Sequence, residues 1–509
     1  MSEQYDIAVI GAGPGGYSAA LRAAQLGMSV ALIEKDATLG GTCLNRGCIP
    51  SKALITATHA IDVVRHASTL GVQASVDGID YGRLRDYREN VVATMTQGLA
   101  SLVAQRGITV LHAAVTGLTP GAPASDGSAT PLTLALAGAP VERVSANRPA
   151  EPLGRTVDIQ AREVVIATGG RPRPLPGHPF SGALIDSTQA LELDAFPASA
   201  VVIGAGAVAV EFASLWNAAG VDVTLIIRRD RVLSAWDRRS GATLTRELAR
   251  RGVIVVKNAN VTGVATGDNL GATVAYTVGK DGEERRAYGE LALAAIGRDP
   301  NTDFDWLRGH GIRIGEGGHI EVDPWGRTGM AHVWAVGDVV AGHALAHRAF
   351  AQGVVAAEAI AGLDPEPVDE DTVPGIVFSS PEAATVGLTG AQAKADPRWT
   401  DVTETAYPMM GNARMMMGGA SGAMTVVSGR PAPDGPEASE TAETAGDTLV
   451  LGVHIVAPEA SDLIAEAQQL VGNRVPLSRA ARLIHPHPTF AETLGEALLK
   501  ADGRPLHTR

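Results

Sequence analysis

Cys43 and Cys48 are the only two cysteines in 509 residues, and they stand five positions apart in Gly40-Gly41-Thr42-Cys43-Leu44-Asn45-Arg46-Gly47-Cys48-Ile49-Pro50-Ser51-Lys52. Two thiols are too few for a disulfide-built scaffold, and in a reducing compartment a close pair points to redox chemistry. A bridge needs Cα atoms within about 7 Å, which five residues of regular helix slightly exceed. It therefore requires a distorted turn of the kind that Asn45 and Gly47 tolerate. The other readings are two inert core thiols or half of a metal site. Zinc would need more thiols or a histidine cluster, and with no third cysteine no metal site is expected. Lysine is scarce in this chain and arginine common, so Lys52 beside the cysteines stands out.

Thiol exchange needs a base. Near the other end, His485-Pro486-His487-Pro488-Thr489-Phe490-Ala491-Glu492 sets a histidine five residues before a carboxylate. Such a carboxylate can fix the imidazole tautomer and raise the basicity needed to take a proton from a thiol. A His-Pro pair in a loop is commonly structural, and it is the redox dithiol that makes His487 and Glu492 candidates.

The elements that must position these groups are written twice. Asp6–Ile10 reads as a buried strand, Gly11-Ala12-Gly13-Pro14-Gly15-Gly16 as a turn opening an alanine-rich helix, and Val30–Glu34 as a second strand. Gly11, Gly13 and Gly16 let the backbone approach a pyrophosphate at the helix N-terminus, and Glu34 can accept from a ribose 2′-hydroxyl. The second copy runs through Ala200–Ile203, the turn from Gly204 and Gly206 to Ala209, a helix to Gly220, and the strand Val221–Ile227. Where a NAD site normally has an acid, this strand ends in Ile227-Arg228-Arg229. Arginines there can hold a 2′-phosphate, or they form a solvated basic turn. Two such folds imply two nucleotides.

Further strands end in glycine at Glu163–Gly170, Leu293–Gly297 and Val333–Asp338, and the residues after about 368 read as an α+β mixture. The expected fold is α/β, with two Rossmann-like dinucleotide-binding domains and a C-terminal α+β domain. The segments are 1–170, with a loop-rich insertion at about 118–160 holding a small sheet; 171–298, the NAD(P)-binding domain; 299–367; and 368–509. An acidic stretch from Arg430 to Asp447 reads as an exposed loop. Hydrophobic content of 45% with only 19% charged residues excludes a disordered or coiled-coil protein. A net charge of −13 disfavours nucleic acid and anionic lipid as main partners. The N-terminus has no basic flank, and no charge-free stretch is long enough for a bilayer, so the expectation is a soluble cytoplasmic protein with no membrane contact.

The run Gly41–Lys52 closely resembles the redox segment of the pyridine nucleotide-disulfide oxidoreductases. The likeness continues through Ala167-Thr168-Gly169, Ile296-Gly297-Arg298-Asp299-Pro300-Asn301-Thr302, Ala335-Val336-Gly337-Asp338 and the His-Pro-His-Pro-Thr segment, so it covers nearly the whole chain. The resemblance implies FAD on the first βαβ unit, with Thr168, Gly169 and Gly297 among the cofactor-binding positions and Asp338 holding the ribityl chain. It implies NAD on the second unit, a central segment 299–367 that contacts FAD, and a C-terminal domain that dimerises. Cys48 matches the flavin-contacting thiol and Cys43 the interchange thiol; Lys52 matches a lysine beside the flavin, paired with Glu211. His487 and Glu492 match a base and its orienting carboxylate that reach the disulfide of the other subunit, which implies a homodimer.

The Cys48-Ile49-Pro50-Ser51-Lys52 run resembles the lipoamide-oxidising branch of that family. It implies oxidation of protein-bound dihydrolipoamide, with hydride passed through FAD to NAD, and lipoyl domains of 2-oxo acid dehydrogenase or glycine cleavage complexes as partners. Arg228 and Arg229 instead resemble the NADP-using glutathione-reductase class, which keeps NADP open. The closing residues Gly503–Arg509 carry no cysteine, an expectation against branches with a second redox pair there. Two rival functions stand beside this one: an NADPH-dependent reductase of a low-molecular-weight disulfide or quinone, and a low-turnover flavin-binding scaffold or redox sensor. A scaffold has no physical need for Cys43, Cys48, Lys52, His487 and Glu492 together.

Overall fold

The computed structural model describes residues 3–121, 131–145, 148–267, 271–279, 282–433 and 446–508. Most of the acidic stretch Arg430–Asp447 lies outside the described residues. Among the described residues no helix is long and apolar enough to cross a membrane. The chain forms two compact units. One comprises Met1–Leu54, Asp80–Arg173 and Arg298–Glu370, and the other Ile55–Ile79, Pro174–Gly297 and Asp371–Arg509.

In the first unit, Gln4–Ile10 lies between Val30–Glu34 and Arg148–Ile166, with Thr109–Thr119 on the far side of Val30–Glu34 and Val333–Ala335 on the far side of Arg148–Ile166. These five strands pair in parallel. Both faces of the sheet are covered, which is why Ile7, Ala8, Val9 and Ile10 are all buried and the strand reads as an unbroken apolar run. The pleat sends Ile7, Val9 and Leu32 into one core and Ala8, Ile10 and Ile33 into the other. The helix Pro14–Gln25 has proline at its start and small residues along its buried side. Ala19, Ala20 and Ala23 share a core with Ala356 and Ala357 of the helix Ala346–Ile360, and the lack of bulk lets the helices approach closely.

The small sheet expected in the insertion is present, with longer strands than its Pro- and Gly-rich sequence suggested. Thr109–Thr119, Leu132–Ser145 and Arg148–Ile166 run as long antiparallel neighbours, with Leu118, Leu132, Leu134, Leu136 and Ile159 buried in one core. Alternating apolar and small polar residues, rather than the scattered Pro and Gly, govern this stretch. Beyond it, Gly170–Pro172 and Arg298–Pro300 pair antiparallel, locked by Asn301 Nδ2 donating to Thr168 O at 2.8 Å and Thr168 Oγ1 donating to Asn301 O at 2.9 Å.

The second unit holds the repeat of the parallel sheet, in the order Ile254–Val256, Asp222–Ile226, Ser199–Ile203, Leu291–Ala294, Leu184–Ile185. A three-stranded antiparallel sheet, Ala259–Gly267, Gly271–Val278 and Glu284–Gly289, adds to it. The C-terminal part is a five-stranded antiparallel sheet whose central strand, Leu449–Ala457, is buried along its whole length. Ala460–Gly472 and Glu492–Ala501 contribute Ile464, Ala467, Leu494 and Leu498 to its core. These C-terminal strands form a sheet of their own, apart from the second parallel sheet, as the sequence reading expected of an α+β domain. The helix Ala207–Ala219 is apolar nearly all round, and its Ser214 Oγ accepts from Ser380 N at 3.0 Å.

Candidate functional site

In the first unit the glycine turn comes first. At Gly11 φ is +99°, and a Cβ would stand 2.5 Å from Ala167 O; one at Gly16 would stand 1.8 Å from Gly11 O. Neither position admits a side chain, so the turn stays open to a ligand. The helix Pro14–Gln25 has no side-chain N-cap and no acid in its first turn, which leaves its N-terminus with its positive field. Glu34 Oε2 accepts from Ala12 N at 2.8 Å and its Oε1 from Asp36 N at 3.0 Å. That fixes the carboxylate beside the turn while leaving lone pairs for a ribose hydroxyl.

The cysteines come next, on the loop that covers this turn. Gly40 has φ +104° and Gly41 φ +54°, and a Cβ on Gly41 would come within 2.7 Å of Gly13 Cα. Asn45 ties the loop down, donating to Leu39 O and Gly41 O at 3.0 Å each and accepting from Thr38 Oγ1 at 2.7 Å. The helix Gly41–Arg46 stops at Gly47, and Cys48–His66 begins the next. The distorted turn that a bridge requires therefore falls at Gly47. A hydrogen bond with Cys48, burial and the charge of Cys48 hold the Cys43 thiol far above its ordinary range, while the Lys52 ammonium acts in the opposite sense.

Tyr17 is a neighbour that sequence reasoning missed. Burial, then the charges of Cys43 and Cys48, push its phenol up to about 12. Its ring lies 5.6 Å from that of Phe350. The only signal was an aromatic residue directly after the glycines at the head of an alanine-rich helix. Asp338, in the short turn Gly337–Val339, is pushed up by burial against the pull of Arg298, Arg348 and His319, with Arg298 Nε at 3.7 Å. Arg298 also donates to Gly170 O, so the strand crossing and the Asp338 carboxylate are one construction. An open glycine turn, an uncapped helix N-terminus, the buried Glu34 and the half-buried Asp338 fit a flavin dinucleotide: amides for the pyrophosphate, Glu34 for the ribose, Asp338 for the ribityl hydroxyls.

In the second unit, His487 Nδ1 lies 2.7 Å from Glu492 Oε2, and Asn412 Nδ2 donates to Glu492 Oε1 at 2.7 Å and to Thr489 O at 3.0 Å. With Nδ1–H on the carboxylate, the acceptor nitrogen is Nε2, on a side chain 76% exposed. His485 does something else: its Nε2 meets Glu466 Oε1 at 2.8 Å inside the packed domain, and that carboxylate raises its pKa against the effect of burial. Asn412 was missed by sequence reasoning, and its one signal is an asparagine N-capping the short helix Ala413–Met417. Glu211 is buried and accepts from Phe378 N at 3.0 Å. Around the second glycine turn, Gly204 has φ +139° with Ala295 O 2.2 Å from a Cβ position, and the helix Ala207–Ala219 again starts at Gly206 without a side-chain cap. Gly297 has φ +136°. Arg228 and Arg229 are exposed in the bend after Asp222–Ile226.

Two dinucleotide folds, a dithiol on the first glycine turn and an imidazole–carboxylate pair on a separate α+β domain define a flavin-dependent disulfide oxidoreductase. Residues 5–353 match the pyridine nucleotide-disulphide oxidoreductase family, and residues 442–498 match its dimerisation domain. The chain is 36% identical over 518 residues to a dihydrolipoyl dehydrogenase of Cupriavidus necator, covering 100% of both. It is 35% identical to that of Geobacillus stearothermophilus over 98% of this chain and 96% of the relative. Among solved structures, LpdA from Mycobacterium tuberculosis superposes with a TM-score of 0.80 at 28% identity, over 98% of this chain and 99% of that one. The chain belongs to the pyridine nucleotide-disulphide oxidoreductase family, in its dihydrolipoyl dehydrogenase group.

Proposed function

We propose that the chain oxidises dihydrolipoamide to lipoamide, with Cys43 and Cys48 taking the electrons, FAD relaying them and NAD receiving hydride. The observation that carries this reading is the hydrogen-bonded thiol pair flanking the Gly47 break, beside the Lys52 charge and on the loop that covers the glycine turn. In the oxidised enzyme, a substrate thiol gives its proton to Nε2 of His487, and the resulting thiolate attacks Cys43 Sγ. The Cys43–Cys48 bond breaks, Cys48 leaves as thiolate, and a Cys43–substrate disulfide forms. The second substrate thiol then attacks the substrate sulfur of that disulfide, releasing lipoamide and leaving Cys43 reduced. The substrate has lost two electrons and two protons, and the cysteine pair has gained the electrons. The first glycine turn, Glu34 and Asp338 would hold FAD, which would supply a two-electron acceptor for that pair and a hydride donor for NAD.

Glu492 holds the His487 tautomer so that Nε2 stays the proton acceptor, and Lys52 stabilises anionic sulfur in the pair. The dimerisation domain supports an assembly of two copies in which His487 of the partner subunit serves Cys43. The dithiol carriers are lipoyl domains of 2-oxo acid dehydrogenase or glycine cleavage complexes, reached by the exposed His487 loop.

Steady-state oxidation of dihydrolipoamide by the FAD-loaded enzyme with NAD tests the reading. Cys48→Ser is expected to lose turnover while staying yellow with bound flavin. Unchanged turnover in that variant sinks the dithiol mechanism.

A further inference from the structure

Five of the chain's ten methionines fall within nine residues, Met409-Met410-Gly411-Asn412-Ala413-Arg414-Met415-Met416-Met417. The segment is a short turn, Met409–Gly411, that runs into the helix Ala413–Met417. Its sulfurs fall into two sets. Met409 and Met415 are fully buried in the core of the C-terminal sheet, packed so closely that a Cβ on Gly422 would stand 2.7 Å from Met415 Cε and 3.2 Å from Met409 Sδ. Met410, Met416 and Met417 are 69%, 70% and 59% exposed. The core needs only the first set, and the second holds three soft, oxidisable thioethers in water.

Asn412 joins this segment to the imidazole–carboxylate pair. Its Oδ1 accepts from Met415 N at 3.2 Å and its backbone oxygen from Met416 N at 3.1 Å, while its Nδ2 donates to Glu492 Oε1 at 2.7 Å and to Thr489 O at 3.0 Å. Arg414 adds a second tie, its guanidinium lying 5.3 Å from the centre of the Phe490 ring. A change at Met416 or Met417 therefore reaches the carboxylate that orients His487 through a single side chain.

We propose that Met410, Met416 and Met417 form a site of oxidation by hydroperoxides, and that their sulfoxides loosen the Asn412 support of Glu492 and so slow the thiol half-reaction. The second half of the proposal rests on the reading of His487 as the base. In the chemical step the thioether sulfur attacks the distal oxygen of the hydroperoxide. The O–O bond breaks as an S–O bond forms, sulfur gives up two electrons, and the hydroperoxide proton leaves with the other oxygen as water or an alcohol. The product carries a strong hydrogen-bond acceptor on a side chain that was apolar. Met417 lies three residues past Arg414 in the same helix, the spacing at which side chains meet. A sulfoxide there offers the guanidinium N–H groups an oxygen in place of the Phe490 face.

Brief treatment of the holoenzyme with hydrogen peroxide tests this, with Cys43 and Cys48 bridged beforehand so that no thiol competes. Peptide mass spectrometry should find sulfoxide at Met410, Met416 and Met417 well before Met409 and Met415. Once the peroxide is removed with catalase, dihydrolipoamide oxidation should have fallen about tenfold, the cost of losing such a support, while NADH still reduces the flavin at the parental rate. Methionine sulfoxide reductase should restore the lost rate. The M410L/M416L/M417L variant should have parental activity before treatment and keep it afterwards, since leucine conserves volume and carries no sulfur. It retains every other methionine, so its resistance isolates the cluster. Absence of sulfoxide at the three positions, or an equal loss of rate in the triple variant, overturns the proposal. Failure of the untreated enzyme on dihydrolipoamide would sink the dithiol reading and with it the effect on rate, and the sulfoxide map alone would then decide the oxidation site.

Discussion

Asn412 Nδ2 donates at 2.7 Å to Glu492 Oε1, while the other oxygen of the same carboxylate holds His487. The two residues are 80 positions apart, and the contact leaves both carboxylate oxygens engaged. The His487 ring is thereby aimed by a second residue acting through the first.

Asn412→Ala is expected to lower the rate of dihydrolipoamide oxidation by roughly 10-fold to 100-fold, the usual cost of losing such a support. Reduction of the flavin by NADH should be unaffected, since it does not draw on His487. Stopped-flow measurement of the two half-reactions separates them, and an equal loss in both would mean that Asn412 merely holds the domain together.

Gly16→Ala would set a methyl group 1.8 Å from Gly11 O, so the turn must open. The variant should purify with little or no flavin, read from the flavin-to-protein absorbance ratio. Stoichiometric flavin would show that the tight turn is not needed for the cofactor.

The Tyr17 phenol, pushed up to about 12 by burial and by the two cysteines, should respond to their redox state. Oxidation removes the thiol charges but not the burial, so the pKa should fall while staying above the ordinary tyrosine value of about 10. Phenolate absorbance, taken as parent minus Tyr17→Phe and followed as far in alkali as the fold persists, reads this. Identical titrations in both redox states would remove the cysteines as a cause.

His485 contributes to stability in a defined pH window. Glu466 raises its folded pKa, so the stabilisation is complete below the ordinary histidine value of about 6.5 and is lost as pH rises through the raised value. His485→Gln should be about 1 kcal/mol less stable than the parent at pH near 5.5, the gap narrowing as pH climbs. Denaturant unfolding at several pH values checks it; a gap that is constant with pH would leave only a packing effect.

The sequence was legible wherever chemistry is fixed by neighbours along the chain. A glycine turn between strand and helix, two cysteines around Gly47, and a histidine five residues before Glu492 are local constraints, set by backbone sterics and side-chain reach. Even the missing acid at Ile227 could be read by counting from Gly204. In the insertion a small sheet was legible but the length of its strands was not, because their pairing depends on partners in a sheet rather than on the Pro and Gly between them.

Folding decided what sequence separation hides. Sheet register and helix packing brought Asn412 to Glu492, and they turned His485 inward to Glu466 while leaving His487 exposed, although both histidines sit in the same His-Pro repeat. Tyr17 gained its place beside the cysteines because the Gly40–Gly41 loop folds back over the glycine turn. Local spacing sets which groups can react. Which of them are buried, paired or presented to a substrate depends on contacts between distant segments, because burial and hydrogen-bond partners exist only once those segments have packed.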